Sequence, residues 1–224
     1  MFSMDLLTSN LLSPVVLAFV LGIIARLLRS DLEIPAAIQS YLSIFLLLAI
    51  GLKGGVALRK DSPDNLPLFI LATLLLGMLT AISAYFIARA WLRDNRIDAS
   101  AIAAHFGSVS AVTFIAAQQF SERTGQAADS VLVALVVAME IPAILIGLGL
   151  AKGASGIQWH HVKEVITGKT ALLLIGGMAI GVLSSDAGIA KVDAMYFQLL
   201  QSTLMLFMLV MGMIAAGQLR TVVK

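Results

Sequence analysis

The sequence AIAAHFGSVSAVTFIAAQQ at residues 101–119 decides the fold, because it is apolar enough to enter a bilayer yet has only small or β-branched side chains at its centre, residues 107–113. Inside a membrane, backbone that leaves the helical hydrogen-bond pattern is tolerated only where it is buried in protein or lines a cavity. Transporters place such broken helices near the midplane, with half-helix N-termini directed at anions. We therefore predict an interrupted helix that forms half of a solute site. A closely packed helix interface is the alternative, since small residues also serve that purpose.

Composition indicates a polytopic membrane protein. Hydrophobic residues make up 59% of the chain and charged residues only 12%, and the mean hydropathy is +0.97. Soluble domains average about 45–50% apolar and about 25% charged residues. The chain has no cysteine, which excludes disulfides and thiolate chemistry, and its net charge of +2 is too small to suggest nucleic acid as a partner. No arrangement of residues typical of an enzyme site occurs, so we expect a protein that is not an enzyme.

Seven apolar runs follow one another along the chain, and several are near or below the length of about 17–25 residues that a span requires. Short or broken helices are therefore expected. The runs cover residues 15–28, 36–58, 67–91, 101–119, 130–151, 170–183 and 195–217.

Charges in the loops predict an orientation. If every run crosses the membrane, most lysines and arginines lie on the side reached after the odd-numbered runs. The positive-inside rule then places the N-terminus outside and the connector at residues 153–169 in the cytoplasm. This connector mixes charged and apolar residues, which favours a short helix at the interface with Trp159 at headgroup depth.

Two parts of the chain have similar sequences. The segment LRSD at residues 28–31 parallels LSSD at 183–186, and GLKGG at 51–55 parallels GMIAA at 212–216. Five runs precede the connector, so a second copy enters the membrane with opposite orientation, as in many transporters with inverted repeats. We predict a first five-helix repeat at residues 1–151, a cytoplasmic connector at 152–169 and the start of a second repeat, with two helices, at 170–224. The second repeat is therefore expected to be incomplete.

Three motifs resemble the sodium-dependent bicarbonate transporter family of cyanobacteria and other bacteria. They are AIGLKGGVALR at residues 49–59, HFGSVSAVTF at 105–114 and MEIPA at 139–143, in the family's order, and the resemblance covers essentially the whole chain. It implies an all-α polytopic membrane protein of ten helices in two inverted repeats with broken helices. It also implies a homotrimer, Na+-coupled uptake of bicarbonate across the bacterial inner membrane and, for some members, inhibition by a PII-like protein at the cytoplasmic face.

The resemblance implies a substrate site on the first broken helix. The second broken helix of the family has no counterpart in this sequence. The positions that match the first broken helix are Gly107, Ser108, Ser110, Ala111 and Thr113. Bicarbonate is a small planar oxyanion, and a helix N-terminus offers it unpaired N–H groups and about half a positive charge.

An acidic residue in an apolar run suggests the position of the coupling ion. An ionisable group within a span is by default a functional hypothesis, and Glu140 is such a residue. Its carboxylate, with the oxygens of Ser110 and Thr113, is expected to bind Na+. The alternative is a structural role for Glu140, either as a protonated acid or as the partner of Lys53 or His105.

Sodium-coupled import of bicarbonate by alternating access is thus the leading function, with the lipid bilayer as its setting. Two alternatives stay open. One is Na+-coupled transport of another small anion, because hydroxyl groups and helix ends do not identify the solute. The other is a truncated, non-transporting membrane module that pairs with a full-length homologue.

Overall fold

The computed structural model describes residues 11–91, 95–110, 113–114, 117–118, 121, 131–153 and 159–222, without the side chains of 137, 140, 141 and 219–222. The described residues contain helices and connecting segments and no β-strand. The helices are α1 (Pro14–Leu27), α2 (Ala36–Lys60), α3 (Leu66–Trp91), α4 (Arg96–Gly107), α5 (Val131–Lys152), α6 (Trp159–Ile166), α7 (Lys169–Leu183), α8 (Asp186–Asp193), a π-helical turn (Ala194–Gln198) and α9 (Leu200–Val222).

Capping residues fix several helix ends. The Ser13 hydroxyl accepts a hydrogen bond from the Val16 N–H at 3.4 Å, directly before Pro14 at the first position of α1. The Asn95 side chain accepts from the Asp98 N–H at 3.2 Å at the start of α4. These side chains satisfy N–H groups that the first turn of a helix leaves without a partner.

Three helices are long and apolar enough to cross a membrane, judged by the length and composition of the described residues. They are Ala36–Lys60, Leu66–Trp91 and a continuous helix Asp186–Gln218, which joins α8, the π-helical turn and most of α9. A fourth span results if α6 and α7, which meet at a bend of 61°, are counted together. Pro14–Leu27 and the part of α5 at Pro142–Lys152 are shorter apolar helices. Short and bent helices therefore occur, as the lengths of the apolar runs predict.

The last long helix begins well before its apolar run. The sequence predicts a run over residues 195–217, whereas the helix begins at Asp186. Ser185 caps this start, because its hydroxyl accepts a hydrogen bond from the Gly188 N–H at 3.2 Å. The first two turns contain Asp186, Lys191 and Asp193. Because these residues are charged, an apolar run does not indicate this part of the helix.

Two compact units divide the described helices. The first contains α1, the part of α2 up to Ala49, α8, the π-helical turn and α9. In this unit α1 packs against α9, and the ring of Tyr196 stacks on that of Phe45 with centroids 5.3 Å apart and planes 8° from parallel. Glycine at position 212 permits this close contact between α1 and α9. A β-carbon there would lie 3.1 Å from the Ile23 nitrogen and would collide with the Phe19 carbonyl oxygen.

The second unit contains the rest of α2 together with α3 to α7. Its core includes Tyr85 and Ala88 of α3 and Ala99 and Ala103 of α4. α3 turns most of its apolar surface outward, since only 11% of its spanning window is buried, against 56% for α2. Exposed leucines and aromatic residues along α3 are typical of a lipid-facing helix. They include Leu68, Leu71, Leu75, Leu79 and Phe86.

Candidate solute site at an interrupted helix

The helix that begins at Arg96 stops inside the small-residue stretch. α4 ends at Gly107, and Ser108 is extended, with φ −104° and ψ 165°. Thr113 and Phe114 are helical, and the Phe114 N–H donates to the Ser110 carbonyl oxygen at 2.9 Å. The described residues therefore contain the interruption that the sequence predicts, at positions 108–110.

Two serine hydroxyls satisfy backbone groups on the two sides of the break. The Ser108 hydroxyl donates to the carbonyl oxygen of His105 at 3.2 Å, within the last turn of α4. The Ser110 hydroxyl accepts from the Thr113 N–H at 3.4 Å, at the start of the next helical turn. Serine competes with regular helix by forming such local bonds. The break is therefore encoded by its own residues.

Glycine and alanine residues allow the end of α4 to pack closely against α3 and α5. A β-carbon on Gly107 would lie 2.7 Å from the β-carbon of Ala81 and 3.0 Å from that of Ala143. On the neighbouring helix, a β-carbon on Gly77 would lie 3.2 Å from the Gly107 carbonyl oxygen. Small residues that bring helices this close are typical of membrane proteins. Close packing, the alternative weighed for this stretch, therefore accounts for Gly107.

The predicted site residues divide into packed and accessible positions. Gly107 is buried, Ser108 is half-buried, and Ser110 and Thr113 are exposed. The structure brings Ser110 and Thr113 together through the capping hydrogen bond at 3.4 Å. Ala111 and the side chain of Glu140 lie outside the described residues, so the predicted Na+ ligand set stays a prediction.

Sequence reasoning missed the partners that position the break. The buried residues of α3 are Gly77, Ala81, Tyr85 and Ala88, spaced four, four and three residues apart. This spacing places them on one helix face, and three of the four are small within a helix rich in leucine. That pattern is a readable signal of a close helix contact, and it would have identified α3 as the support of the broken helix.

Basic groups stabilise the far end of the same helices. The Arg96 Nε donates to the Leu150 carbonyl oxygen at 2.8 Å, which ties the start of α4 to the end of α5. Lys152 and the buried His161 contact each other through Nζ and Nε2. Trp159, at the start of α6, is 76% exposed. A short helix therefore exists in the connector, as predicted, while its depth in the membrane stays a prediction.

Comparison with known proteins identifies the family of this arrangement. Residues 14–224 match the family model of the Na+-dependent bicarbonate transporter superfamily, which is essentially the whole chain. No sequence among curated proteins matches the chain. The helical architecture, the candidate membrane spans and the family match agree with one another. The chain is an all-α membrane protein that belongs to the Na+-dependent bicarbonate transporter superfamily.

Proposed function

We propose that the protein imports bicarbonate together with Na+ across the bacterial inner membrane, as a secondary active symporter that works by alternating access. The observation that carries the proposal is the helix interruption at residues 108–110, capped on both sides by serine hydroxyls, in a member of this superfamily. Broken helices provide solute sites in transporters, near the middle of the membrane. The protein acts as a transporter and not as an enzyme.

The broken helix supplies the chemistry that a small oxyanion requires. The dipole of the helical turn after Ser110 favours negative charge, while the N–H groups of Thr113 and Phe114 donate to the hydroxyl and the carbonyl oxygen of Ser110. The Ser108 hydroxyl donates to His105 and can still accept, whereas the Ser110 hydroxyl accepts from Thr113 and can still donate. With the Thr113 hydroxyl, they offer both kinds of hydrogen bond to bicarbonate, whose own hydroxyl group is a donor. Ala111 contributes its backbone, and Gly107 holds the break against its neighbours.

Na+ binds next to the anion through oxygen ligands. Hard cations favour carboxylate, hydroxyl and carbonyl oxygens, and we assign Glu140, Ser110 and Thr113 to this role. Two observations support the assignment. Ala143, whose β-carbon borders Gly107, follows position 140 by three residues, and such positions share a helix face. Pro142 lies inside α5 and has no N–H to donate, which frees a carbonyl oxygen in the preceding turn.

Coupling to Na+ removes an electrical cost. Import of one anion into a cell that is negative inside costs about 2.3 kcal/mol per 100 mV of membrane potential. One Na+ carried with each bicarbonate cancels this charge movement and adds the free energy of the Na+ gradient. We therefore propose a ratio of one to one.

A repeated glycine contact supports two inverted repeats. In the first unit, Gly212 approaches the backbone of Phe19 and Ile23, and in the second, Gly51 approaches that of Leu174 and Met178. The self-alignment that pairs residues 51–55 with 212–216 equates the two glycines. The ungapped alignment that pairs residues 28–31 with 183–186 equates the residues that they approach. Chance resemblance of two short motifs would not produce equivalent contacts.

Orientation and assembly follow from loop charges and from the family. We propose an N-terminus outside the cell, a homotrimer and a PII-like regulator at the cytoplasmic face. The connector helix α6 is part of that face, with Trp159, His160 and Lys163 exposed on it.

Uptake of radiolabelled bicarbonate into proteoliposomes tests the function and the site together. We expect uptake to require an inward Na+ gradient, to fall at least tenfold in Ser110→Leu, and to persist in the control His160→Ala on exposed α6. Uptake that ignores Na+ would reject the coupling. Full activity of Ser110→Leu would reject the site, and uptake only after addition of a full-length homologue would favour the non-transporting module.

A further inference from the structure

A charged cavity lies at the end of α1, in the first unit. The cavity has a volume of about 640 Å³, and its lining includes Arg26, Glu33, Met213 and Ile214. A second cavity of about 250 Å³ adjoins it, shares Arg26 and Met213, and adds Arg29 and Ser30. One side of this space is therefore charged, and the other side is formed by the apolar residues of α9.

The backbone places an arginine where glycine is the usual residue. α1 ends with hydrogen bonds from the Ser30 N–H to the Ala25 carbonyl oxygen at 2.9 Å and from the Arg29 N–H to the Arg26 carbonyl oxygen at 3.4 Å. This is the Schellman pattern, in which glycine commonly occupies the left-handed position. Arg29 occupies it with φ 57°. Strained positions persist where the surroundings compensate, and they cluster at ligand sites.

The charges in these cavities form a pattern of two cations and one anion. Within the described part of the chain, the guanidinium groups of Arg26 and Arg29 and the carboxylate of Glu33 form no ion pair with one another or with other residues. Guanidinium groups bind phosphate oxygens in a bidentate manner. A carboxylate repels phosphate but attracts a primary ammonium group. A ligand that carries both groups a short distance apart matches the pattern.

The place of the cavity in the chain indicates the source of this ligand. The apolar run of α1 ends at Leu28, and Arg29, Asp31 and Glu33 follow, which is the pattern of a helix that reaches the membrane surface. Met213 and Ile214 offer an apolar wall beside the charges. We propose that this cavity binds the headgroup of a zwitterionic phospholipid with a phosphate and a primary ammonium, and that its acyl chains follow α9.

Native mass spectrometry of the full chain in detergent tests this proposal, with short-chain phosphatidylethanolamine and phosphatidylglycerol as probes. We expect tighter binding of phosphatidylethanolamine and about tenfold weaker binding of both lipids in Arg26→Gln, since one charged bidentate contact is lost. The control Lys191→Gln removes the same charge from exposed α8, outside the cavity, and is expected to bind as the unchanged protein does.

A second variant separates headgroup selection from general attraction of anions. In Glu33→Gln, the preference for phosphatidylethanolamine over phosphatidylglycerol is expected to disappear while phosphate binding remains. This ratio is informative even where Arg26→Gln fails to fold. Equal binding of the two lipids by the unchanged protein would overturn the proposal, as would an effect of Lys191→Gln equal to that of Arg26→Gln. Inorganic phosphate that displaces the lipid at micromolar concentration would also overturn it, because a free anion would then be the ligand.

Discussion

Replacement of Gly51 by alanine tests the close contact between α2 and α7 in the second unit. A β-carbon at position 51 would lie 3.1 Å from the Met178 nitrogen and 3.2 Å from the Gly177 Cα, and it would collide with the Leu174 carbonyl oxygen. All three neighbours are backbone atoms of a regular helix, so no side-chain rotation can make room. The two helices must therefore separate.

The size of the effect follows from two opposing terms. An overpacked site costs about 1–3 kcal/mol, and a collision with helix backbone belongs at the upper end of that range. Alanine regains about 1 kcal/mol of helix propensity over glycine. The net loss is therefore about 2 kcal/mol, and a chain of this size shifts its Tm by about 2–4 °C per kcal/mol. We expect Gly51→Ala to lower the Tm by about 4–8 °C.

Gly176 provides a matched control on the partner helix α7, because a β-carbon there would meet nothing within 4 Å. Gly176→Ala is expected to keep or raise the Tm, since it gains propensity without a collision. Both variants are to be measured in one detergent at one heating rate by tryptophan fluorescence, because Trp91 and Trp159 lie in this unit. Equal Tm values for the two variants would refute the proposed backbone contact.

Two further substitutions test local features of the fold. Arg29→Gly is expected to raise stability in lipid-free detergent by about 1–2 kcal/mol, because a left-handed conformation costs an L-residue about that much; an unchanged or lower Tm would contradict the strain at φ 57°. Asn95→Ala is expected to cost about 1 kcal/mol through loss of the α4 cap, measured as a lower Tm, whereas Asn95→Ser is expected to retain most of the stability.

The helix break was predictable because its cause is local. Glycine and two serines within four residues provide both the flexibility and the capping groups, and the structure uses Ser108 and Ser110 for caps. The role of Gly107 was harder to predict, since the same residue permits approach of a ligand or of a helix. Its contacts with Ala81 and Ala143 come from helices distant in sequence. Only tertiary structure distinguishes these two uses.

Hydropathy and capping report different properties of the chain. The apolar run at residues 195–217 marks where a helix can contact lipid, whereas Ser185 marks where the helix begins. The charged cavity illustrates a second limit of sequence reasoning. Arg26 and Met213 are far apart in the chain, and they line one cavity only because α1 packs on α9. No periodicity in either helix contains that information.

The π-helical turn at Ala194–Gln198 determines the direction in which each side chain of α9 points around the helix axis. An α-helix advances about 100° per residue, and a π turn accommodates one extra residue, so it rotates the subsequent side chains by about that angle relative to an unbroken α-helix. Tyr196 can thus stack on Phe45 while Gly212 meets Phe19 on α1. A loss or gain of one residue in this turn would swing Gly212 away from its neighbour and bring a bulkier side chain into its place.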